Sequence, residues 1–443
     1  MSSLPDRLPI QPVRGPVRGR IRPPGSKSIT NRALVCAALA QGDSTLTGAL
    51  DSDDTRVMLD SLGKLGLKIE VQDAGRTIVV HGRNGRLPVA TAELDVGNSG
   101  TTIRFLTALC ALGHGYYKLD GVPRMRQRPI GDLLTALNQL GANCRGSLRD
   151  GFPPVEVRAS GLKGGKTTVR GNISSQFLSG LLMAAPYATA GVEIAVEGEL
   201  VSKPYVAMTL RVMEAFGATC AAPDLASFRI PGKQIYRGCN YSIEPDASAA
   251  SYFWAAAAIT GGEVTVEGLS RDAMQGDVKF VECLAQMGCR VAYAADGITV
   301  SGRAERGIDV DMNAISDTVQ TLAPVALFAQ GPTTIRGVGH IRHKETDRIG
   351  DLARELRKLG ALVDELPDGL RITPPTPTRS VSEGLDPPAG LRGAEIATYH
   401  DHRMAMSLAL AGLVIPDVVI LDPACTAKTY PGFFEDLGRL VAG

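Results

Sequence analysis

The sequence predicts a two-lobed α/β protein built from six similar units, three in each half. Two observations carry that prediction. First, one pattern recurs six times: a Gly or Val, a short alternating strand, a polar loop, then an amphipathic helix. The copies begin at Gly42, Gly115, Gly191, Gly261, Gly331 and Val418, with starts 70 to 87 residues apart. That spacing is too long for solenoid repeats, so each copy is a compact βα-containing subdomain. Second, a helix of different character lies ahead of each strand, apolar nearly all round, as a helix buried inside a domain must be.

Composition fits this class. The chain has 443 residues, 44% of them hydrophobic and 21% charged, with 47 Lys+Arg against 46 Asp+Glu. Disordered and fibrous chains are excluded by that balance, and a nucleic-acid binder is disfavoured because it needs a basic surplus. A small anionic ligand needs only local charge. The 8 cysteines are scattered, with no CxxC and no Cys/His cluster at zinc spacing, so reduced thiols are expected and no metal cage. No apolar run reaches the roughly 18 residues of a membrane span. The first 24 residues lack an apolar core, and neither a secretory signal nor a transit peptide is expected there.

In chain order, the helices expected to be buried are NRALVCAALA, TIRFLTALCAL, QFLSGLLMAAPYA, ASYFWAAAAI, VQTLAPVALFA and HRMAMSLALAGLV. Each follows small polar residues: GSKSIT, GNSGTT, NISS, PDAS, MNAISD and YHD. Such residues favour N-caps, and a helix start combines free N–H groups with partial positive charge, which suits an anion. The lobes are expected at 24–244 and at 1–23 plus 245–443. On that division the N-terminal strand QPVRGPVRGRIRPP joins the second lobe, and the two crossings of the chain make a hinge.

Basic and hydroxyl side chains crowd the polar loops: Lys27, Ser28, Arg32; Asn98, Thr101, Arg104; Arg124, Arg128; Ser174, Ser175, Gln176; Ser202, Tyr205; Lys344, Arg348; Arg403; Lys428. One arginine is ordinarily a solvated surface residue, but the same loop position is basic in both halves. Arg forks and Lys point charges are what phosphate and carboxylate recognition requires. Mutual repulsion among so many cations costs several kcal/mol unless anions enter, which implies doubly anionic substrates and closure on binding. GSKS is not a P-loop, since Arg20 and Ser26 stand where Gly and Lys belong. GNSGTT lacks the third glycine and acidic partner of a dinucleotide site, so no NAD and no other cofactor is expected.

For acid–base work, Glu345 lies between Lys344 and Arg348 and is expected to be ionised and able to exchange a proton with a substrate. Asp317, in ISDT, is either an N-cap or a catalytic base. His402, beside Asp401 and Arg403, opens a buried helix. His81, His114, His340, His343 and His400 are expected at the surface or behind the site.

GSKSITNRA, DSDDT, GNSGTTIR, PRMRQRPIG, SSQFLSGLLMAAP, LVSKPY, PDASAASYF, HKETDR, YHDHRMAM and CTAKTYPGFFEDL, in this order, resemble the 5-enolpyruvylshikimate-3-phosphate synthase family from about Ile21 to the C-terminus. The resemblance implies a two-domain inside-out α/β barrel of six βαβαββ units, three per domain, with the active site in the cleft. It implies transfer of the enolpyruvyl group of phosphoenolpyruvate to the 5-hydroxyl of shikimate 3-phosphate, in the cytoplasm, by a monomer that glyphosate inhibits.

By matching motifs, Lys27, Ser28, Arg32, Ser174, Ser175, Gln176, Ser202, Tyr205, Asp317, His340 and Lys344 resemble the shikimate 3-phosphate site. Lys27, Asn98, Gly100, Thr101, Arg128, Gln176, Arg348, His402, Arg403 and Lys428 resemble the phosphoenolpyruvate site, and Asp317, Glu345 and Lys27 the catalytic groups. His340 stands where better-known members carry Asn, and Phe105 where Pro is common. The alternative is the enolpyruvyl transferase acting on UDP-N-acetylglucosamine, which shares fold and donor. That enzyme uses a mobile-loop Cys, and the corresponding PRMRQRP here has none. A catalytically inactive anion binder would not retain Lys27, Asp317, Glu345 and Lys428 together.

Overall fold

The computed structural model describes residues 4–375 and 387–442. Two compact units divide the chain: Met1–Pro24 with Pro245–Gly443, here the C unit, and Gly25–Glu244, the N unit. The chain passes between them twice, at Pro24–Gly25 and Glu244–Pro245.

Among the described residues twelve α-helices alternate between two kinds. In the N unit the buried kind are α1 (Lys27–Leu39), α3 (Gly100–Cys110) and α5 (Ser175–Ala184), and the half-exposed kind are α2 (Asp53–Lys64), α4 (Gly131–Gln139) and α6 (Lys203–Ala215). In the C unit the buried helices are α7 (Ala247–Thr260), α9 (Val319–Ala326) and α11 (His402–Ala409). Their outer companions are α8 (Phe280–Gln286), α10 (Gly350–Lys358) and α12 (Phe433–Ala442). Every residue of α7 is buried, which its run of alanines and large aromatics requires, and the one polar group on Trp254 is satisfied by the Ile298 carbonyl at 3.1 Å.

Three of the predicted buried helices stop short. Pro186 turns the end of QFLSGLLMAAPYA into a 3-10 segment at Ala185–Tyr187, and Leu410–Leu413 does the same after α11. VQTLAPVALFA, with Pro324 inside it, is helical only to Ala326.

Among the described residues each unit carries three sheets. The complete βαβαββ order is clearest at Thr91–Asp95, α3, His114–Asp120, α4, Cys144–Gly146 and Val155–Ser160. Alternating burial along Thr91–Asp95 shows one face against the helices and one outward. Two strands are exchanged along the chain. Arg18–Ile21 directly precedes α1 yet pairs in parallel with Glu263–Glu267 of the C unit, Arg18 opposite Glu263. Asn240–Ser242 directly precedes α7 yet pairs with Gln41–Thr47 of the N unit, Asn240 opposite Thr45. The last C-unit sheet is completed by Arg7–Pro9, antiparallel to Val419–Leu421. Close approach explains Gly25: a Cβ there would lie 1.8 Å from the Gly48 carbonyl oxygen.

Candidate active-site clusters

Five of the six buried helices begin at a side-chain cap, supplied by Ser26, Ser99, Ser174, Asp246 and Asp401. The sixth, α9, follows a 3-10 turn at Asn313–Thr318, with Thr318 at the cap position. Asp317 therefore does not cap α9, and its carboxylate is turned to Arg348 and Arg403 instead.

In the C unit, Arg348 organises the cluster. It is 2% exposed and bonds three carboxylates: Asp401 through Nε at 2.7 Å, Glu345 through Nη2 at 2.8 Å and Asp317 through Nη1 at 3.2 Å. Burial works against its charge, but Asp401, Glu345 and Asp317 outweigh it and hold the guanidinium above its usual range. Arg403 reaches the other Asp317 oxygen at 2.8 Å and the Tyr252 hydroxyl at 3.5 Å. Lys428 Nζ lies 3.8 Å from Glu345. Asp401 also accepts the Arg403 backbone N–H at 2.9 Å, so one carboxylate caps α11 and anchors Arg348.

The two histidines here are neutral. His402 is 1% exposed, and burial, reinforced by Arg403, pushes it well below its usual value. Its Nδ1 stands 3.6 Å from Asp401, beyond hydrogen-bond reach, so the pair is not an ion pair. His340, expected at the surface or behind the site, is buried on the turn Gly339–His343 and meets Ser316 Oγ at 3.1 Å. Burial, with Lys344 nearby, lowers it to about 3.

The N unit gathers its groups at the starts of α1, α3, α5 and α6. Lys27 Nζ is 3.4 Å from the buried Asp54. Arg32 is braced by protein: Nε donates to Thr209 Oγ1 at 2.7 Å, Nη1 to the Ser28 carbonyl at 2.9 Å, and Nη2 to Ser179 Oγ at 3.3 Å and the Tyr205 carbonyl at 3.2 Å. Burial lowers it to about 10, still protonated at neutral pH. Its guanidinium lies 5.2 Å from the Phe105 ring centroid, and that of Arg104 5.6 Å from Phe177. Arg128 donates to the Asn98 carbonyl and side-chain oxygens at 3.1 and 3.2 Å. Gln176 Nε2 donates to Thr101 Oγ1 at 3.3 Å, and Ser202 sits in a left-handed conformation before α6. Gly100 must be Gly for Arg128 and Arg104 to lie where they do, because a Cβ would fall 2.4 and 2.5 Å from their terminal nitrogens.

The expectation of cations repelling one another until substrate arrives is corrected by this geometry. Arg348, Arg403 and Lys428 face Asp317, Glu345 and Asp401, and Lys27 faces Asp54. Carboxylates of the protein itself thus face these four cations, whereas Arg32 and Arg128 bond neutral oxygens.

The family model for EPSP synthase (3-phosphoshikimate 1-carboxyvinyltransferase) matches residues 12–437. The chain belongs to this family. A 3-phosphoshikimate 1-carboxyvinyltransferase of Nostoc punctiforme is 48% identical over 430 residues, 97% of this chain and 98% of that protein. One from Serratia proteamaculans is 47% identical over 437 residues, 98% and 99% of the two chains. A solved EPSP synthase from Acinetobacter baumannii superposes with TM-score 0.80 at 26% identity, covering 98% of both chains.

For an EPSP synthase, the sequence alone under-reads the carboxylates. Asp54, Asp401 and the Tyr252 hydroxyl were not among the expected site residues, although DSDDT and YHDHRMAM contain the first two. Only Asp401 lies within a few residues of one of the recurring basic positions, Arg403; Asp54 and Tyr252 carry no such signal. Among the described residues no group of three or more His, Cys, Asp or Glu side chains is placed to hold a metal, and no helix is long and apolar enough to cross a membrane.

Proposed function

We propose that the ionic clusters of the two units serve one reaction, the transfer of the carboxyvinyl group of phosphoenolpyruvate to the 5-hydroxyl of shikimate 3-phosphate. The enzyme is then a transferase, EC 2.5.1.19, of the shikimate pathway to chorismate and the aromatic amino acids. The observation that carries this reading is Arg348, gripped by three carboxylates and flanked by Arg403 and Lys428. Such a site binds a dianionic donor by exchange. The carboxylate and phosphate of phosphoenolpyruvate take over Arg348, Arg403 and Lys428, joined by Lys27, Gly100 and Arg128 from the N unit, and Asp317 and Glu345 are released for proton transfer.

Glu345, released from Arg348, takes up a proton from solvent and delivers it to the methylene carbon, leaving the adjacent carbon electrophilic and Glu345 a carboxylate again. The 5-hydroxyl oxygen bonds to that carbon as Asp317, assisted by Lys27, takes its proton. The tetrahedral intermediate collapses when Glu345 recovers a proton from the new methyl group and the C–O bond to phosphate breaks, its electron pair leaving with phosphate. Arg128, Arg348, Arg403 and Lys428 stabilise the departing charge, an effect worth about 10² to 10³ in rate for each donor.

Shikimate 3-phosphate is held by Ser28, Arg32, Ser174, Ser175, Gln176, Ser202, Tyr205, His340 and Lys344. Arg32 acts mostly as a brace, presenting Ser28 and Tyr205, because most of its donors are committed to protein. The enzyme works as a cytoplasmic monomer. Glyphosate competes with phosphoenolpyruvate beside Gly100, with Phe105 setting the strength, and inhibition that is not competitive with phosphoenolpyruvate rejects this point.

The test is phosphate release from phosphoenolpyruvate, with shikimate 3-phosphate and, separately, UDP-N-acetylglucosamine as acceptor. Release with the first alone is expected. Release with the second, or with neither, refutes the reading.

A further inference from the structure

The turn that leads into Asp401, His402 and Arg403 is strained. Tyr399 and His400 are consecutive non-glycine residues with left-handed φ of 54° and 55°. Such a pair persists only where its surroundings over-determine it. The surroundings are on α10. Glu355, fully buried, accepts the Tyr399 hydroxyl on Oε1 at 2.6 Å, and on Oε2 the Ala397 N–H at 3.0 Å and Lys358 Nζ at 2.6 Å. Arg354 donates to the same Tyr399 hydroxyl at 3.1 Å, and Asp351 pairs with Arg354 in turn. On the far side of the turn, His400 Nδ1 lies 2.7 Å from Asp422. The Asp401 N–H closes onto the Thr398 carbonyl at 2.9 Å, and Asp401 then reaches Arg348.

We propose that Glu355 and Tyr399 are positioning residues: the bond from the half-buried Tyr399 hydroxyl to the buried Glu355 carboxylate holds the turn in the one shape that aims Asp401 at Arg348 and starts α11 with Arg403 in place. Glu355 bonds none of the cluster residues directly. It acts through a carboxylate–phenol bond of the charge-assisted kind, which is short and directional. A slack turn lets Asp401 drift, and the Arg348 and Arg403 guanidiniums lose their shared orientation. The inference rests on the assignment of those two arginines to phosphoenolpyruvate.

The experiment compares Tyr399→Phe, Glu355→Gln, the double variant and Arg403→Ala by steady-state kinetics, varying each substrate in turn, with thermal unfolding in parallel. Tyr399→Phe keeps the ring and is expected to raise the phosphoenolpyruvate KM about fivefold, as loss of one hydrogen bond to a charged acceptor implies. The shikimate 3-phosphate KM stays within about twofold, and the effects of Tyr399→Phe and Glu355→Gln are less than additive in the double variant, because Glu355→Gln already weakens the bond that Tyr399→Phe removes. An unchanged phosphoenolpyruvate KM in Tyr399→Phe, or equal shifts in both KM values, overturns the proposal even if Glu355→Gln fails to fold. If Arg403→Ala raises the phosphoenolpyruvate KM and Tyr399→Phe does not, the clamp alone is wrong. If Arg403→Ala also leaves it unchanged, the donor-site assignment is wrong and the clamp falls with it.

Discussion

At the scale of single residues, charge in the C-unit cluster is paired rather than accumulated. Glu345 is held by Arg348 at 2.8 Å with Lys428 nearby, so its carboxyl is oriented by the protein itself. Glu345→Gln preserves shape and one acceptor but cannot shuttle a proton. Its kcat is expected to fall by about 10² or more, with both KM values within about threefold, as measured by steady-state phosphate release. An undiminished kcat removes Glu345 from the proton transfers. Gly100→Ala tests the N-unit side. The added methyl displaces the Arg128 and Arg104 guanidiniums, which are flexible enough to move, so the fold survives while the phosphoenolpyruvate KM rises about tenfold. A KM unchanged by the methyl would place Arg128 outside the donor site.

Secondary-structure elements show how burial sets protonation and packing. His402 opens α11 and His340 sits on the Gly339–His343 turn, and both are buried neutral. Their folded pKa values are depressed. The unfolded chain therefore binds protons below about pH 6.5 that the folded chain refuses. Stability from this source is complete above that pH and drains as pH falls, toward about 3 for His340. Between pH 7.5 and 5.5 each histidine is expected to contribute a loss of about 1.4 kcal/mol. Denaturant titrations of His340→Asn and His402→Gln check this, since each variant should lack its share. On α3, Phe105 packs under Arg32, so Phe105→Leu should lower stability by about 1 to 2 kcal/mol in urea, and an unmoved midpoint would deny the contact any weight.

Across the whole molecule, the repeated units were legible because two periodicities coincide: apolar-all-round helices such as α7, and alternating strands such as Thr91–Asp95. Helix ends were less so, since Pro186 stops α5 without interrupting its apolar pattern. The basic residues of the two clusters announced themselves by recurrence in loops. Their carboxylate partners did not, because Asp54 and Asp401 look like the acidic N-terminal residues any helix carries, and only folding brings Asp401 to Arg348, 53 residues away in sequence. Whether His340 lies at the surface or inside is open in the sequence for the same reason: nothing in GHIRHK distinguishes the inward histidine from the exposed one. The chemistry as a whole is tested most directly by running the reaction with shikimate 3-phosphate in D2O and examining the product by proton NMR and mass spectrometry. Protonation at the methylene and its reversal by Glu345 predict deuterium in the vinyl group of the product, with one phosphate released per product. A deuterium-free vinyl group, or no product from shikimate 3-phosphate, would contradict it.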